Sequence, residues 1–105
     1  MVVQFEDFES KKAVPLLDKY RHQYRCFNDD IQGTGSVTLA GLLSAARNAG
    51  SSIRDLKIVC AGAGSAGLGV CSAIVDGMVA AGMDRDDAMG RFVICTSQVG
   101  TPPKL

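Results

Sequence analysis

Apolar positions along the 105-residue chain fall into two kinds of pattern: short unbroken runs, and longer stretches in which they recur every three or four residues. The first kind predicts strands and the second predicts helices with one buried face. Met1 to Phe5 is apolar apart from Gln4 and reads as a strand. Ala13 to Tyr24 reads as a helix, because Ala13, Leu16 or Leu17, Tyr20 and Tyr24 recur at helical spacing while Asp18, Lys19, Arg21 and Gln23 stay outside. Pro15 is expected in its first turn, where a missing N–H costs nothing. A second helix is expected over Ser36 to Asn48, capped by Thr34 or Ser36 and ended by Gly50.

Asn48 to Asp55 is a polar connection into a run, Leu56 to Cys60, that reads as the central strand. Gly62-Ala63-Gly64-Ser65-Ala66-Gly67 follows at once, and apolar positions at helical spacing then continue from Ala66 to about Ala81. That helix carries Val70, Cys71, Ile74, Val75 and Met78, so it is expected to be largely buried or to meet another subunit, and Gly82 ends it. Asp84 opens a short acidic turn or helix with Asp87 three residues on, an acid in the usual capping-box position. Phe92 to Cys95 is the next strand. Beyond it, Thr96 to Leu105 loses periodicity and Pro102-Pro103 disfavours a regular element.

Strand, glycine-rich turn, helix is the order that a dinucleotide-binding unit requires. Gly62 allows the tight turn, Gly64 brings no side chain between the backbone and a pyrophosphate, and Gly67 lets the helix lie close to the strand. The free N–H groups of the first helical turn, at Ser65 and Ala66, then face the phosphates. The fold class this predicts is α/β: a partial Rossmann-type parallel sheet with flanking helices, in which the Ala66–Ala81 helix crosses between the two strands.

Composition narrows the classes without choosing a function. With 47% apolar residues, 12 glycines and 3 prolines the chain is globular in character. Eleven basic and eleven acidic residues cancel, which gives no support for nucleic acid or a membrane surface as partner. No transmembrane span or targeting peptide is apparent. Cys26, Cys60, Cys71 and Cys95 are widely spread and form no CxxC pair. The last three lie within or at the end of apolar runs, so buried free thiols and a reducing compartment are expected. Lys11, Lys12, Lys19, Arg21 and Arg25 make the first helix the most basic segment, read as a solvated face or subunit contact. His22 lacks a second ligand at metal-binding spacing and is read as surface or intersubunit.

Two acidic groups leave alternatives open. Glu6 and Asp7, after the first strand, are either solvated loop residues or one side of a divalent-metal site. Asn28-Asp29-Asp30 either forms a turn that caps the following helix or brings carboxylates beside Glu6 and Asp7 to hold a hard cation. Clustered acids repel one another, so convergence calls for a cation or cationic partners.

The segments QFEDF at Gln4 to Phe8, LLDKYRHQYRCFNDDIQGTGSVTLAGLLSA, and CAGAGSAGLG together resemble the malic enzymes, over nearly the whole chain to about Cys95. That resemblance implies oxidative decarboxylation of malate to pyruvate with NAD or NADP and Mg or Mn. It implies that Glu6, Asp7 and Asp30 are the metal ligands, with Asp29 a supporting neighbour. It also implies that Gly62, Gly64 and Gly67, with Ser65 and Ala66 between them, form the cofactor turn. The cation of the family stabilises the alkoxide, polarises the ketone and steadies the enolate. On this likeness residues 1–50 correspond to the end of the substrate- and metal-binding region with its linking helix, and residues 51–105 to an incomplete NAD(P)-binding domain.

The family's general-base lysine, proton-donating tyrosine and malate-binding arginine belong upstream of QFEDF, and its later asparagines downstream. Lys11, Lys12, Tyr20 and Tyr24 match none of those positions, so no catalytic residue is assigned and the isolated chain is expected to be inactive. Thr96 stands where the family usually has the aspartate that holds the adenosine ribose, which leaves NAD only weakly favoured over NADP. Malate is the partner only of a complete enzyme. The alternative reading is a noncatalytic remnant that binds nucleotide weakly, forms a homo-oligomer, or associates with a full-length subunit. The likeness leaves the location as intracellular, cytoplasmic or mitochondrial.

Overall fold

In the computed structural model, which describes residues 1–96, the chain folds as two parallel strand pairs joined by a helical layer. The order is β1 (Val3–Phe5), α1 (Ser10–Tyr20), β2 (Cys26–Asn28), a π-helical turn (Asp29–Gly33) and α2 (Thr34–Asn48). A 3-10 turn (Ile53–Asp55), β3 (Ile58–Ala61), α3 (Ser65–Ala80), α4 (Arg85–Met89) and β4 (Phe92–Cys95) follow. β1 pairs in parallel with β2, Phe5 opposite Asn28, and β3 pairs in parallel with β4, Cys60 opposite Ile94. Parallel partners need a crossover, which α1 supplies in the first unit and α3 with α4 in the second. The partial Rossmann-like α/β arrangement expected from the sequence is therefore present.

The core lies where α3 meets α2, the 3-10 turn and α4. Met78, Val75, Ile74, Ile53 and Ala88 are buried there, at most 4% exposed. Fully burying a Val, Ile or Met side chain stabilises by about 1.5–3 kcal/mol, and α3 supplies three of the five residues. The helix comes near enough to its neighbours because it carries glycines on the contact side. A Cβ at Gly69 would lie 2.5 Å from the Ile31 carbonyl oxygen and 2.8 Å from Ile31 Cα; one at Gly35 would lie 2.9 Å from the Gly69 carbonyl oxygen. Backbone therefore packs on backbone where α3 crosses the π-helical turn and the start of α2.

Several boundaries differ from the sequence reading, each for a local reason. Cys26–Asn28 pairs as a strand although three residues are too few to show alternation. The strand read over Met1 to Phe5 is thus one half of a small parallel sheet, and its partner is the part the sequence did not show. α1 begins at Ser10, three residues early, so Pro15 sits in the second turn and the helix forgoes one interior bond. Neither Thr34 nor Ser36 caps α2, because the π-helical turn runs directly into it; Ser36 Oγ donates to the Gln32 carbonyl at 2.7 Å instead. The cap belongs to Asn28, whose Oδ1 accepts from Ile31 N–H at 3.1 Å while Gln32 Oε1 accepts from Asn28 N–H at 3.0 Å. Gly33 makes room for the turn, since a Cβ there would collide with the Asp29 carboxylate.

The connection before β3 is not merely polar. Ser52 and Asp55 form a reciprocal capping box, and Ile53 between them is buried. Leu56 closes that turn, which moves the strand's start to Ile58. Gly50 and Gly82 end α2 and α3 with positive φ, as expected. Asp84 caps α4 by accepting from Asp86 N–H at 2.8 Å and Asp87 N–H at 3.4 Å. Of the cysteines read as buried, only Cys71 is; Cys60 is half-buried and Cys95 exposed, because β4 turns Val93 and Cys95 away from α3. The Thr96–Leu105 reading lies, after Thr96, outside the described residues.

Gly69→Ala is expected to destabilise by about 1–3 kcal/mol through overpacking against Ile31. Gly41→Ala, on the open face of α2 with nothing near its absent Cβ, is expected to stabilise by about 0.5–1 kcal/mol. Urea unfolding of the two variants beside the parent chain measures both, and equal effects would contradict the packing described.

Candidate metal centre and cofactor turn

Two parallel strands that end side by side deliver their following residues to one place. Because Phe5 is opposite Asn28, the residues after β1 and those after β2 emerge together. Carboxylate oxygens of Glu6, Asp7 and Asp30 accordingly all lie within 4.8 Å of one another. Asp7 and Asp30 are tied directly, with Asp7 N–H donating to Asp30 Oδ2 at 2.9 Å. Asp7 takes a left-handed backbone, φ 59°, which an aspartate tolerates better than most residues. Glu6 and Asp7 are exposed and Asp30 half-buried, and among the described residues none of the three makes an ion pair. Carboxylates held this close, with no cationic side chain paired to them among the described residues, form a set of hard oxygen ligands able to chelate a metal ion.

Asp29 stands beside the cluster, not in it. Its Oδ2 accepts from Gln4 Nε2 at 3.3 Å, and the same amide nitrogen donates to Glu6 Oε2 at 2.7 Å. Gln4 therefore holds two acids in place, a role its isolated polar position in an apolar strand did not disclose. The sequence alternatives for Asn28-Asp29-Asp30 turn out to be compatible: Asn28 caps the turn, and the turn presents Asp30.

Gly62, Gly64, Ser65, Ala66 and Gly67 fall together at the turn between β3 and α3. Gly62 has φ 128°, a conformation that side chains rarely adopt, and its N–H donates to the Cys95 carbonyl at 2.8 Å, bringing the end of β4 beside the turn. At Gly67 a Cβ would strike the Gly62 carbonyl oxygen. Gly64 is different: a Cβ there would meet only Ser10 Oγ, at 3.7 Å. The protein's own packing does not require glycine at that position, so the space it leaves is available to something else.

Ser10 links the two halves of the chain. Its Oγ accepts from Ser65 N–H at 3.3 Å and donates to Ser65 Oγ at 3.4 Å. Neither α1 nor α3 has a side-chain cap of its own, and their first turns meet through these two serines. Nothing in the sequence pairs residues so far apart, and Ser10 was not among the candidates.

Cys71 lies on α3 one turn beyond Gly67. Burial pushes its thiol up to about 12, and the hydrogen bond and charge of Cys60 add to the shift. A raised thiol pKa means that the folded chain keeps a proton which the unfolded chain releases. The associated stability is complete below about pH 8.5, the ordinary thiol value, and is lost as pH rises towards 12. Between about pH 9 and 11 the parent chain should therefore lose stability more steeply than Cys71→Ala in denaturant titrations.

Comparison with known proteins matches this arrangement. Residues 31–100 match the family model described as "Malic enzyme, NAD binding domain". The NAD-dependent malic enzyme of Sodalis glossinidius (strain morsitans) is 50% identical over 94 residues, covering 90% of this chain and 17% of that protein. That of Shewanella woodyi is 52% identical over 87 residues, covering 83% and 16%, and that of Acinetobacter baylyi 50% over 90 residues, covering 86% and 16%. The chain thus spans about one sixth of the length of these relatives. With an acidic cluster able to chelate a metal at one strand pair and an NAD-binding domain at the other, it belongs to the malic enzyme family.

Proposed function

We propose that this chain supplies the metal ligands and the first part of the dinucleotide crevice to a malic enzyme that oxidatively decarboxylates malate to pyruvate and CO2 while reducing NAD(P). The observation that carries the reading is the convergence of Glu6, Asp7 and Asp30 from two adjacent strand ends, in a chain whose glycine turn belongs to the matched family model. Residues 1–50 serve the metal side and residues 51–105 begin the cofactor domain.

Glu6, Asp7 and Asp30 hold Mg or Mn, which when bound supplies Lewis-acid polarisation of a substrate oxygen. Gln4 keeps Glu6 oriented, and the Asp7 N–H keeps Asp30 Oδ2 turned inward. At the other pair, the Ala66 N–H of the first turn would be turned to a pyrophosphate, which Gly64 would let approach the backbone; the Ser65 N–H, read from the sequence as free, is instead held by Ser10 Oγ. NAD is favoured over NADP because the matched relatives are named as NAD-dependent. Among the described residues no Lys, His or Tyr side chain is hydrogen-bonded to the cluster. The proton transfers of such a reaction, like malate and the subunit contacts, are assigned to the rest of the complete enzyme.

Calorimetric titration of the chain with Mn2+ tests the metal site. Asp30→Asn should weaken binding by at least about tenfold, and unchanged affinity would remove Asp30 from the ligand set. For the cofactor turn, Gly64→Ala should leave unfolding unchanged to within about 0.5 kcal/mol while weakening NAD binding. The 105-residue chain alone should give no malate-dependent cofactor reduction with Mn2+. Turnover that vanishes in Asp30→Ala would show that the proton-transfer groups lie within it.

A further inference from the structure

Cys60 and Cys71 belong to neither the metal cluster nor the set of groups facing a nucleotide, yet the fold brings them together. Cys60 sits on the inward face of β3, half-buried, with its Sγ donating to the Gly62 carbonyl at 3.2 Å and lying 3.9 Å from the Gly67 carbonyl oxygen. Gly67 is one helical turn before Cys71 on α3. A Cβ at Gly67 would lie 3.5 Å from Cys60 Sγ, and helical side chains lean back over the preceding turn, so the buried Cys71 side chain leans over the residue that lies against Cys60. Cys95 is excluded as a competitor for Cys60. It is opposite Ala61 in the β3–β4 register and shares the exposed outer face of the sheet, while Cys60 points inward.

We propose that Cys60 and Cys71 form a reversible intramolecular disulfide, a redox clip that ties β3 to α3 across the glycine turn. The inference goes beyond the metal and nucleotide reading and does not rest on it. The oxidant is a low-molecular-weight disulfide of the glutathione class. The Cys60 thiolate attacks one sulfur of that disulfide, forming a mixed disulfide and expelling one glutathione thiolate. The Cys71 thiolate then attacks the Cys60 sulfur, closing the protein disulfide and expelling the second glutathione thiolate. Two electrons pass from the protein thiols to glutathione disulfide, and the two thiol protons end on the two glutathione molecules released.

The order of the steps follows from burial. Cys60 is the more accessible sulfur and reacts first. Cys71 is buried and its thiol is pushed up to about 12, so near neutral pH only a small thiolate fraction is available for the closing step. Closure therefore speeds up as pH rises. The clip also draws the Cys60 sulfur into a covalent bond and removes its S–H from the Gly62 carbonyl, so oxidation acts on the turn itself.

The test uses the full 105-residue chain incubated with glutathione disulfide, quenched in acid, alkylated and cleaved after Lys57 and Arg85. Both thiols fall in that one fragment, Ile58 to Arg85, which contains no other lysine or arginine. The expected product is the fragment two hydrogens lighter and free of alkyl groups, regaining two alkylation sites after dithiothreitol. Its closing step should accelerate by about tenfold per pH unit near neutrality, and Cys71→Ala should stop at a glutathione adduct on Cys60. Closure should be lost in favour of mixed pairings with Cys26 and Cys95 when the chain is oxidised in guanidinium chloride. A parent fragment that stays doubly alkylated, a Cys60 adduct that never closes, or equal closure in denaturant would each overturn the proposal. The parent fragment decides the matter even if the variant does not fold.

Discussion

Where α3 crosses the π-helical turn, two backbones touch with no side chain between them. A Cβ on Gly69 would stand 2.5 Å from the Ile31 carbonyl oxygen, and Ile31 directly follows Asp30. This contact fixes the distance between the helix that begins at the glycine turn and the turn that presents Asp30 to the acidic cluster. Interiors are close-packed, so a spacing set by backbone atoms leaves little room for independent adjustment. Metal side and cofactor side are thus parts of one rigid arrangement, reinforced by the Ser10–Ser65 hydrogen bonds at the start of α3.

The two strand pairs use one structural idea twice. In each, parallel strands finish together and the loop after a strand end holds the candidate site: Glu6, Asp7 and Asp30 after the first pair, the glycine turn after the second. Ligands in open α/β folds collect beyond the carboxyl ends of parallel strands for this reason. What differs is how each loop is made specific. The acidic loops are held by hydrogen bonds from Gln4 and from the Asp7 backbone, whereas the glycine turn is shaped by the positive φ of Gly62 and the close approach of Gly67 to the Gly62 carbonyl.

Legibility in the sequence followed the range of the interactions. The elements from Leu56 to Cys95 were readable to within a residue or two, because apolar period and punctuating glycines are local signals. The acidic site was readable only as an alternative until FNDDIQGT and QFEDF were taken together. Periodicity alone cannot say that Asp7 and Asp30, far apart in sequence, share a hydrogen bond. β2 escaped because three residues are too few to show alternation, and its identity as a strand depends wholly on pairing with β1. The early start of α1 was hidden by Pro15, whose usual place in the first turn suggested a later beginning. Cys95 was misjudged because an apolar run does not reveal which of its alternate positions a neighbouring helix covers.

A ribbon of two strands has no interior member. Each of the four strands described here carries one side with no neighbouring strand, and Val59 and Val93, paired across β3 and β4, stand 71% and 60% exposed on the face away from α3. Open peptide groups beside an uncovered aliphatic stripe are what an additional strand recognises. Purified alone, such a polypeptide would be prone to concentration-dependent self-association, and that tendency, more than loss of secondary structure, would set the conditions under which it can be handled.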